Sequence, residues 1–321
     1  MSRISIEETP SGQGRGSDLP TTITYRGSKQ TYYTFRFLVN RGKKEIAYRA
    51  YAYFRWLDDQ IDSDSGTREE KIEMVRRQQS ILEACYLKVP PGDLCSEEHM
   101  LAEMIRDDQE KDSGLKLYLR NMMKVIAFDA DRRGRIVSHA ELTEYTHLLA
   151  VAVTEAMFYF ISPDMVPPCE ETRYHAVCGA HVVHMLRDSI ADISAGYFNI
   201  PGEFVQENQV SIEEMHSLAF RKWVYARVKL ARQYFTLGRQ YFSRVKSLRC
   251  RLACAAYLAR FEWIANRIEQ DGYCLREAYP ERKRFRAALW MVWRILTSSL
   301  NIPWQDKKSG EQQAQPEQCE E

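Results

Sequence analysis

Tyr51-Ala52-Tyr53-Phe54-Arg55-Trp56-Leu57-Asp58-Asp59-Gln60-Ile61-Asp62 is the stretch whose reading decides the fold. Tyr51, Arg55, Asp58 and Asp62 fall at i, i+4, i+7 and i+11, a single stripe along one face of an α-helix. A second stretch repeats the pattern. In His181-Val182-Val183-His184-Met185-Leu186-Arg187-Asp188-Ser189-Ile190-Ala191-Asp192, the residues His181, His184, Asp188 and Asp192 fall at i, i+3, i+7 and i+11. A stripe that faces inward is ordinarily apolar. Two polar stripes on otherwise apolar helices point to one shared site rather than to two solvated surfaces.

Outward from these stretches, helical periodicity dominates: 28–39, 43–63, 67–86, 96–108, 114–128, 138–161, 170–194, 211–244, 247–271 and 280–299. Pro90-Pro91-Gly92, the segment from Pro163 to Pro168, and Pro201-Gly202 punctuate these runs as loops. Ser138 followed by Glu141 reads as a capping box. No run has strand character. The expected fold is all-α, a single-domain helical bundle around a central cavity, with the two aspartate helices antiparallel or facing across it. Residues 1–25, polar and rich in Gly, Ser and Thr, are expected to form a flexible N-terminal segment, 26–304 the domain, and 305–321 a flexible Glu/Gln-rich tail.

Asp58, Asp62, Asp188 and Asp192, with Asp59 in support, offer hard oxygen donors. These suit Mg2+, which keeps open positions for phosphate oxygens. Carboxylates gathered without a cation repel one another, and some are forced to protonate. The implied ligand is a diphosphate bridged to the protein by divalent ions, with Arg55 and Arg187 binding its oxygens in a forked geometry. Asp58-Asp59-Gln60-Ile61-Asp62 alone fits a solvated helix face equally well; the second stripe favours the site. A zinc site from Cys178, His181 and His184 is the alternative for the histidines, but no fourth ligand stands at a defined spacing.

The two stretches resemble the aspartate-rich motifs of the squalene and phytoene synthases, which join prenyl diphosphates head to head. Tyr51–Asp62 is similar to the first motif, and Leu186–Asp192 with Gly196 and Ile200-Pro201 to the second. Weaker matches follow the family's order from about residue 25 to 300: Ser28-Lys29 with Tyr32 and Phe35, Phe128-Asp129, Glu141–Tyr145, and Arg267-Ile268-Glu269 with Gly272-Tyr273. The resemblance implies a class I isoprenoid synthase fold. It makes Asp58, Asp62, Asp188, Asp192 and Arg55 the catalytic group. Ser28, Lys29, Tyr51, Arg55, His181, His184 and Arg187 become the substrate-binding residues, and a prenyl diphosphate (farnesyl or geranylgeranyl) the substrate.

Departures from the family's pattern lie around the second motif. His181 and His184 stand where the family has glutamine and asparagine, and imidazole is a poor magnesium ligand. Gly196-Tyr197-Phe198-Asn199 lacks the family's arginine. Val151 and Thr154 replace small glycines beside the prenyl cavity, which reshapes it. Phe261 and Ala278 replace a tyrosine and an arginine. These changes leave the ionisation machinery in place and erode the surroundings of a second substrate. A class I terpene synthase that cyclises or eliminates a single prenyl diphosphate is therefore the alternative to condensation. A non-catalytic family member is a further one.

The 321 residues carry a formal net charge of +1, yet between Arg221 and Arg294 there are 18 Lys or Arg against 5 Asp or Glu. The arginines are spread along helical runs and no nucleic-acid motif accompanies them, so nucleic acid is set aside. Phe285–Leu300, with Trp290 and Trp293, is too short to span a bilayer. A buried terminal helix is its simpler expectation, a helix at a membrane interface the rival one. Eight cysteines at irregular spacing suit reduced thiols. Without a signal-peptide core the expected location is cytoplasmic, with a lean toward the membrane periphery. Oligomeric state is not legible.

Overall fold

Helix starts fall where the sequence supplies caps. Thr67 with Glu70, and Ser138 with Glu141, form complete capping boxes, and Ser113, Ser217 and Ser247 each accept a backbone N–H three residues on. In the computed structural model, which describes residues 18–63, 65–108, 112–212 and 214–299, every regular element is helical. The helices are α1 (Asp18–Gly27), α2 (Lys29–Phe37), α3 (Lys44–Asp62), α4 (Arg68–Tyr86), α5 (Ser96–Arg106) and α6 (Gly114–Arg132). They continue as α7 (His139–Ile161), α8 (His175–Ser194), α9 (Gly202–Asn208), α10 (Leu218–Arg244), α11 (Leu248–Gln270) and α12 (Phe285–Ser299). Short 3-10 turns occupy Arg41–Lys43, Glu171–Tyr174 and Pro280–Lys283.

Three expectations are corrected. Residues 18–25 are not an irregular leader; they form most of α1, which packs on α3, with the buried Thr24 hydroxyl donating to Pro20 O at 2.8 Å. The expected segments 1–17 and 305–321 lie outside the described residues. The helix expected from 211 starts at Leu218, because Ser217 caps it, and α9 went unread because seven residues are too few to show a period.

The core is a main apolar cluster reaching from Val39 to Tyr279, with a small second one of Val137, Leu142 and Met185. α6 packs on α3, α4 and α7; α7 packs on α8; α8 packs on α10 and α11. The two aspartate helices, α3 and α8, are thus held in place through α6 and α7. On its far side α8 is clamped at backbone contact: a Cβ on Gly238 of α10 would lie 2.5 Å from Ala176 Cα. A buried carboxylate ties α4 to α5. Glu98 accepts from Arg77 Nε and NH2 at 2.8 and 2.9 Å and from Gln78 Nε2 at 2.8 Å, and Gln78 in turn accepts from the Tyr53 hydroxyl of α3 at 3.0 Å.

The Arg77 hydrogen bonds hold the Glu98 carboxyl down at about 2, against 4.5 for a free glutamate. A depressed carboxylate contributes stability that is complete above its unfolded pKa and is lost as pH falls through the folded one. Stability is therefore expected to fall by about 2 kcal/mol between pH 4.5 and pH 2 through this group, a figure reduced for the half-exposed Arg77. Urea unfolding of wild type and Glu98→Gln across that range checks it: the difference between them must shrink toward low pH, and a constant gap refutes the assignment.

Candidate active site

The first stripe lies on the C-terminal half of α3. Leu57 and Ile61 bury their side chains in the core, which turns Asp58 to the half-buried boundary and leaves Asp59 and Asp62 exposed at the helix end. Arg55 lies along the same edge. Its NH2 pairs with Asp59 Oδ1, its Nε donates to Asp59 Oδ2 at 3.2 Å, and its NH1 reaches Asp58 Oδ2 at 3.4 Å. Tyr51, one turn earlier, is half-buried, with its hydroxyl over Gly27.

The second stripe runs along α8. Arg187 grips Asp188 through Nε and NH2 at 2.6 and 2.5 Å, and His184 Nε2 lies 2.9 Å from Asp188 Oδ2. Burial pushes the His184 imidazole down despite the Asp188 bond, so it stays neutral and donates its Nε2–H to that carboxylate. Burial opposes ionisation of Asp188, but the bonds from Arg187 and His184 prevail and hold its carboxyl far below the ordinary range. His181 is buried one turn back, its Nδ1 3.2 Å from Thr146 Oγ1 and its ring edge-on to Tyr145. Because Thr146 Oγ1 already donates to Leu142 O at 2.8 Å, it accepts from His181 Nδ1–H. His181 thus joins α8 to α7, although its ring stays beside that of His184, 6.3 Å away.

What the sequence left unassembled is the link between the stripes. The end of α8 turns on Gly196 at φ +85°, a left-handed conformation that favours glycine, with Tyr197 N–H bonded to Asp192 O at 2.8 Å. That turn swings Tyr197 and Asn199 back over the site. The Tyr197 hydroxyl lies 3.3 Å from Asp62 Oδ1 of the first stripe, and Asn199 Nδ2 donates to Asp192 Oδ2 of the second at 2.7 Å. Between them sit Asp129 and Arg132 at the C-terminal end of α6. Arg132 donates to Asp129 Oδ1 at 2.7 Å and to Asn199 Oδ1 at 2.8 Å, while the Tyr145 hydroxyl donates to Asp129 at 3.0 Å. The buried guanidinium is boxed by the rings of Phe128, Tyr145 and Tyr197, at 4.9 to 5.6 Å from their centroids. Phe128-Asp129 and Tyr145 were visible in the sequence as pieces of a resemblance and Asn199 as part of a departure from it; Arg132, inside a charge run, carried no signal of burial.

Two expected substrate residues sit apart from this network. The Ser28 hydroxyl caps α2, accepting from Thr31 N at 3.2 Å, and Lys29 is exposed with its Nζ over the Tyr25 ring at 5.7 Å. Arg133 bridges the segments that follow both stripes, through Ala195 O at 3.2 Å and Ser63 O at 3.4 Å. Asp64 in the first of these lies outside the described residues. Beside the bridge opens a cleft of about 170 Å³ lined by Ile61, Arg68, Lys71, Asp129, Arg133 and Tyr197, among others.

The donor set fits a hard divalent cation. Burial, reinforced by Asp62, pushes the Asp58 carboxyl up to about 7, and burial with Asp188 does the same to Asp192. Carboxylates that resist ionising together are those a cation relieves. Among the described residues no three Asp, Glu, His or Cys side chains are grouped so that they could hold a metal ion by themselves. Each helix instead offers a pair four residues apart, which suits an ion that keeps water and phosphate in its shell. Cys178, His181 and His184 do not come together as a three-ligand metal group among the described residues, and burial pushes the Cys178 thiol up to about 12.

Residues 24–290 match the family described as Squalene/phytoene synthase. The chain belongs to the squalene/phytoene synthase family. Its members are isoprenoid synthases, prenyltransferase enzymes, and the all-α bundle is theirs. Two solved structures share the fold. One is the squalene synthase HpnC from Alicyclobacillus acidocaldarius, at TM-score 0.63 and 16% identity over 81% of this chain and 95% of that one. The other is a dehydrosqualene synthase in complex with ligand, at TM-score 0.64 and 17% identity over 88% and 95%. No curated protein sequence matches the chain. In this squalene/phytoene synthase family member, the turn after α8 links the two stripes, through Tyr197 on Asp62 and Asn199 on Asp192, and Arg132 ties Asn199 to Asp129 of α6.

Proposed function

We propose that this enzyme ionises prenyl diphosphates and joins two of them head to head, with release of diphosphate and dependence on Mg2+. The observation that carries the reading is the continuous hydrogen-bonded path from Asp192 through Asn199 and Arg132 to Asp129, with Tyr197 on Asp62 at its edge. The path begins at the second carboxylate pair, and Tyr197 of the same turn contacts Asp62 of the first, which supports one shared site for both. Mg2+ held by Asp58, Asp62, Asp188 and Asp192, with Asp59 in support, would supply Lewis-acid stabilisation of the departing diphosphate.

The chain's own residues do the rest. Arg55 is positioned to exchange Asp59 for a phosphate oxygen, because that pair is solvent-exposed and weakly held. Arg187 orients Asp188 and keeps it ionised. The face of α7 bearing Tyr145, Thr146 and Thr154 supplies a buried wall, and exclusion of water there protects a carbocation from capture. Farnesyl and geranylgeranyl diphosphate are the substrates of choice.

One observation favours cyclisation or elimination of a single substrate instead. Thr154 is fully buried and His184 stands 6.0 Å from the Phe261 ring, so larger groups occupy positions that the family keeps small or polar. The deciding experiment measures diphosphate release from geranyl, farnesyl and geranylgeranyl diphosphate with and without Mg2+, followed by mass spectrometry of extracted products. A product with twice the substrate's carbon count is expected. The same carbon count would establish the single-substrate reading, and no release from any of the three would overturn both.

A further inference from the structure

α12 is the helix that the sequence left between a buried terminal helix and an interfacial one, and the structure makes it half of each. Its inner face packs on α11, with Ala287 buried and Arg294 Nε donating to the buried Glu262 at 2.7 Å. The opposite face is apolar and open. Phe285, Leu289, Val292, Trp293 and Leu296 are between 45 and 76% exposed. At 3.6 residues per turn these five fall within an arc of about 100°. Exposed large hydrophobics scattered singly need no explanation, but five on one stripe mark an interaction surface.

We propose that this face of α12 docks on an anionic lipid bilayer. Charge selects the occupant. Arg284 and Arg286 are exposed at the start of the helix, and Arg286 flanks the apolar arc. A second copy would press this positive surface against itself, whereas anionic headgroups complement it. No helix among the described residues is long and apolar enough to cross a membrane, so α12 lies in the interface plane. The surface is continuous with the site: the 3-10 turn that leads into α12 carries Arg282, within electrostatic reach of Asp188 and Arg187. Docking there sets the rim of the aspartate site at the lipid surface. The docking itself does not depend on the reaction assigned above.

Full-length protein is sedimented with phosphatidylcholine vesicles, with and without phosphatidylglycerol, at low and high salt, alongside L289E/W293E and R284S/R286S. Wild type is expected to pellet with the anionic vesicles and to be released by salt. L289E/W293E is expected to lose at least tenfold in partitioning with an unchanged circular dichroism melt, and R284S/R286S about fivefold per arginine. Wild type remaining in the supernatant with both lipids overturns the proposal, as does equal pelleting of L289E/W293E. A concentration-dependent dimer seen by light scattering, lost in L289E/W293E and without vesicle binding, overturns it in favour of a second copy. None of these readouts requires turnover, so a failed assignment of the reaction leaves the result intact.

Discussion

Arg132→Met is expected to destabilise the protein by about 3–5 kcal/mol, because it strands a buried carboxylate whose partner has gone. Asp129 lies half-buried; burial pushes its carboxyl up, and the bonds from Arg132 and Tyr145 offset part of that. Without the guanidinium, Asn199 Oδ1 also loses its donor and the aromatic box around residue 132 loses its cation. The loss should appear in urea unfolding at pH 7. The double variant Arg132→Met/Asp129→Asn is expected to recover most of it, since the stranded charge is removed as well. A loss under about 1 kcal/mol in the single variant would show that the network does not hold α6 to the end of α8.

The second large effect is on turnover. Asp58→Asn and Asp192→Asn are each expected to lower kcat/KM by about 10³-fold, the loss of about 4 kcal/mol of transition-state stabilisation. The same substitutions should leave the metal-free fold at least as stable as wild type. Each carboxyl sits near 7 because burial and a neighbouring aspartate disfavour its ionised form, and asparagine removes that repulsion at nearly constant shape. Asp59→Asn, at an exposed position paired with Arg55, is expected to cost tenfold or less. Diphosphate release and thermal melts on the three proteins separate these outcomes. An Asp58→Asn enzyme within tenfold of wild type would remove the carboxylate pair from the mechanism.

The legible part of the site is the part written in helical phase. Asp58 and Asp62, like Asp188 and Asp192, are four residues apart on one helix, so one turn of backbone geometry fixes each pair. The same holds for the bond from His184 to Asp188. Asp129 was not read as part of the site because the contact that brings it there is distant in the chain: Tyr145 is 16 residues on, and Asn199, which it meets only through Arg132, is 67 from that arginine. Arg132 escaped for a different reason. Asp131-Arg132-Arg133-Gly134-Arg135 has the composition of a solvated charge run, and only the packing of α6 against α7 and the 196–200 turn buries one arginine of the three. His181, expected to share a pocket with His184, has its ring beside that of His184 and its hydrogen bond on Thr146 of α7, a contact that helical phase does not show.

By itself the sequence determined an all-α protein, the two polar stripes and their carboxylate pairs, since local periodicity sets all of these. Tertiary structure decided how the stripes are linked, through Tyr197 on Asp62 and Asn199 on Asp192, and that α12 keeps an apolar face exposed. Both depend on which helices pack together. Burial of a side chain is a property of its neighbours in space, and helical phase says which face a residue occupies but not what that face meets.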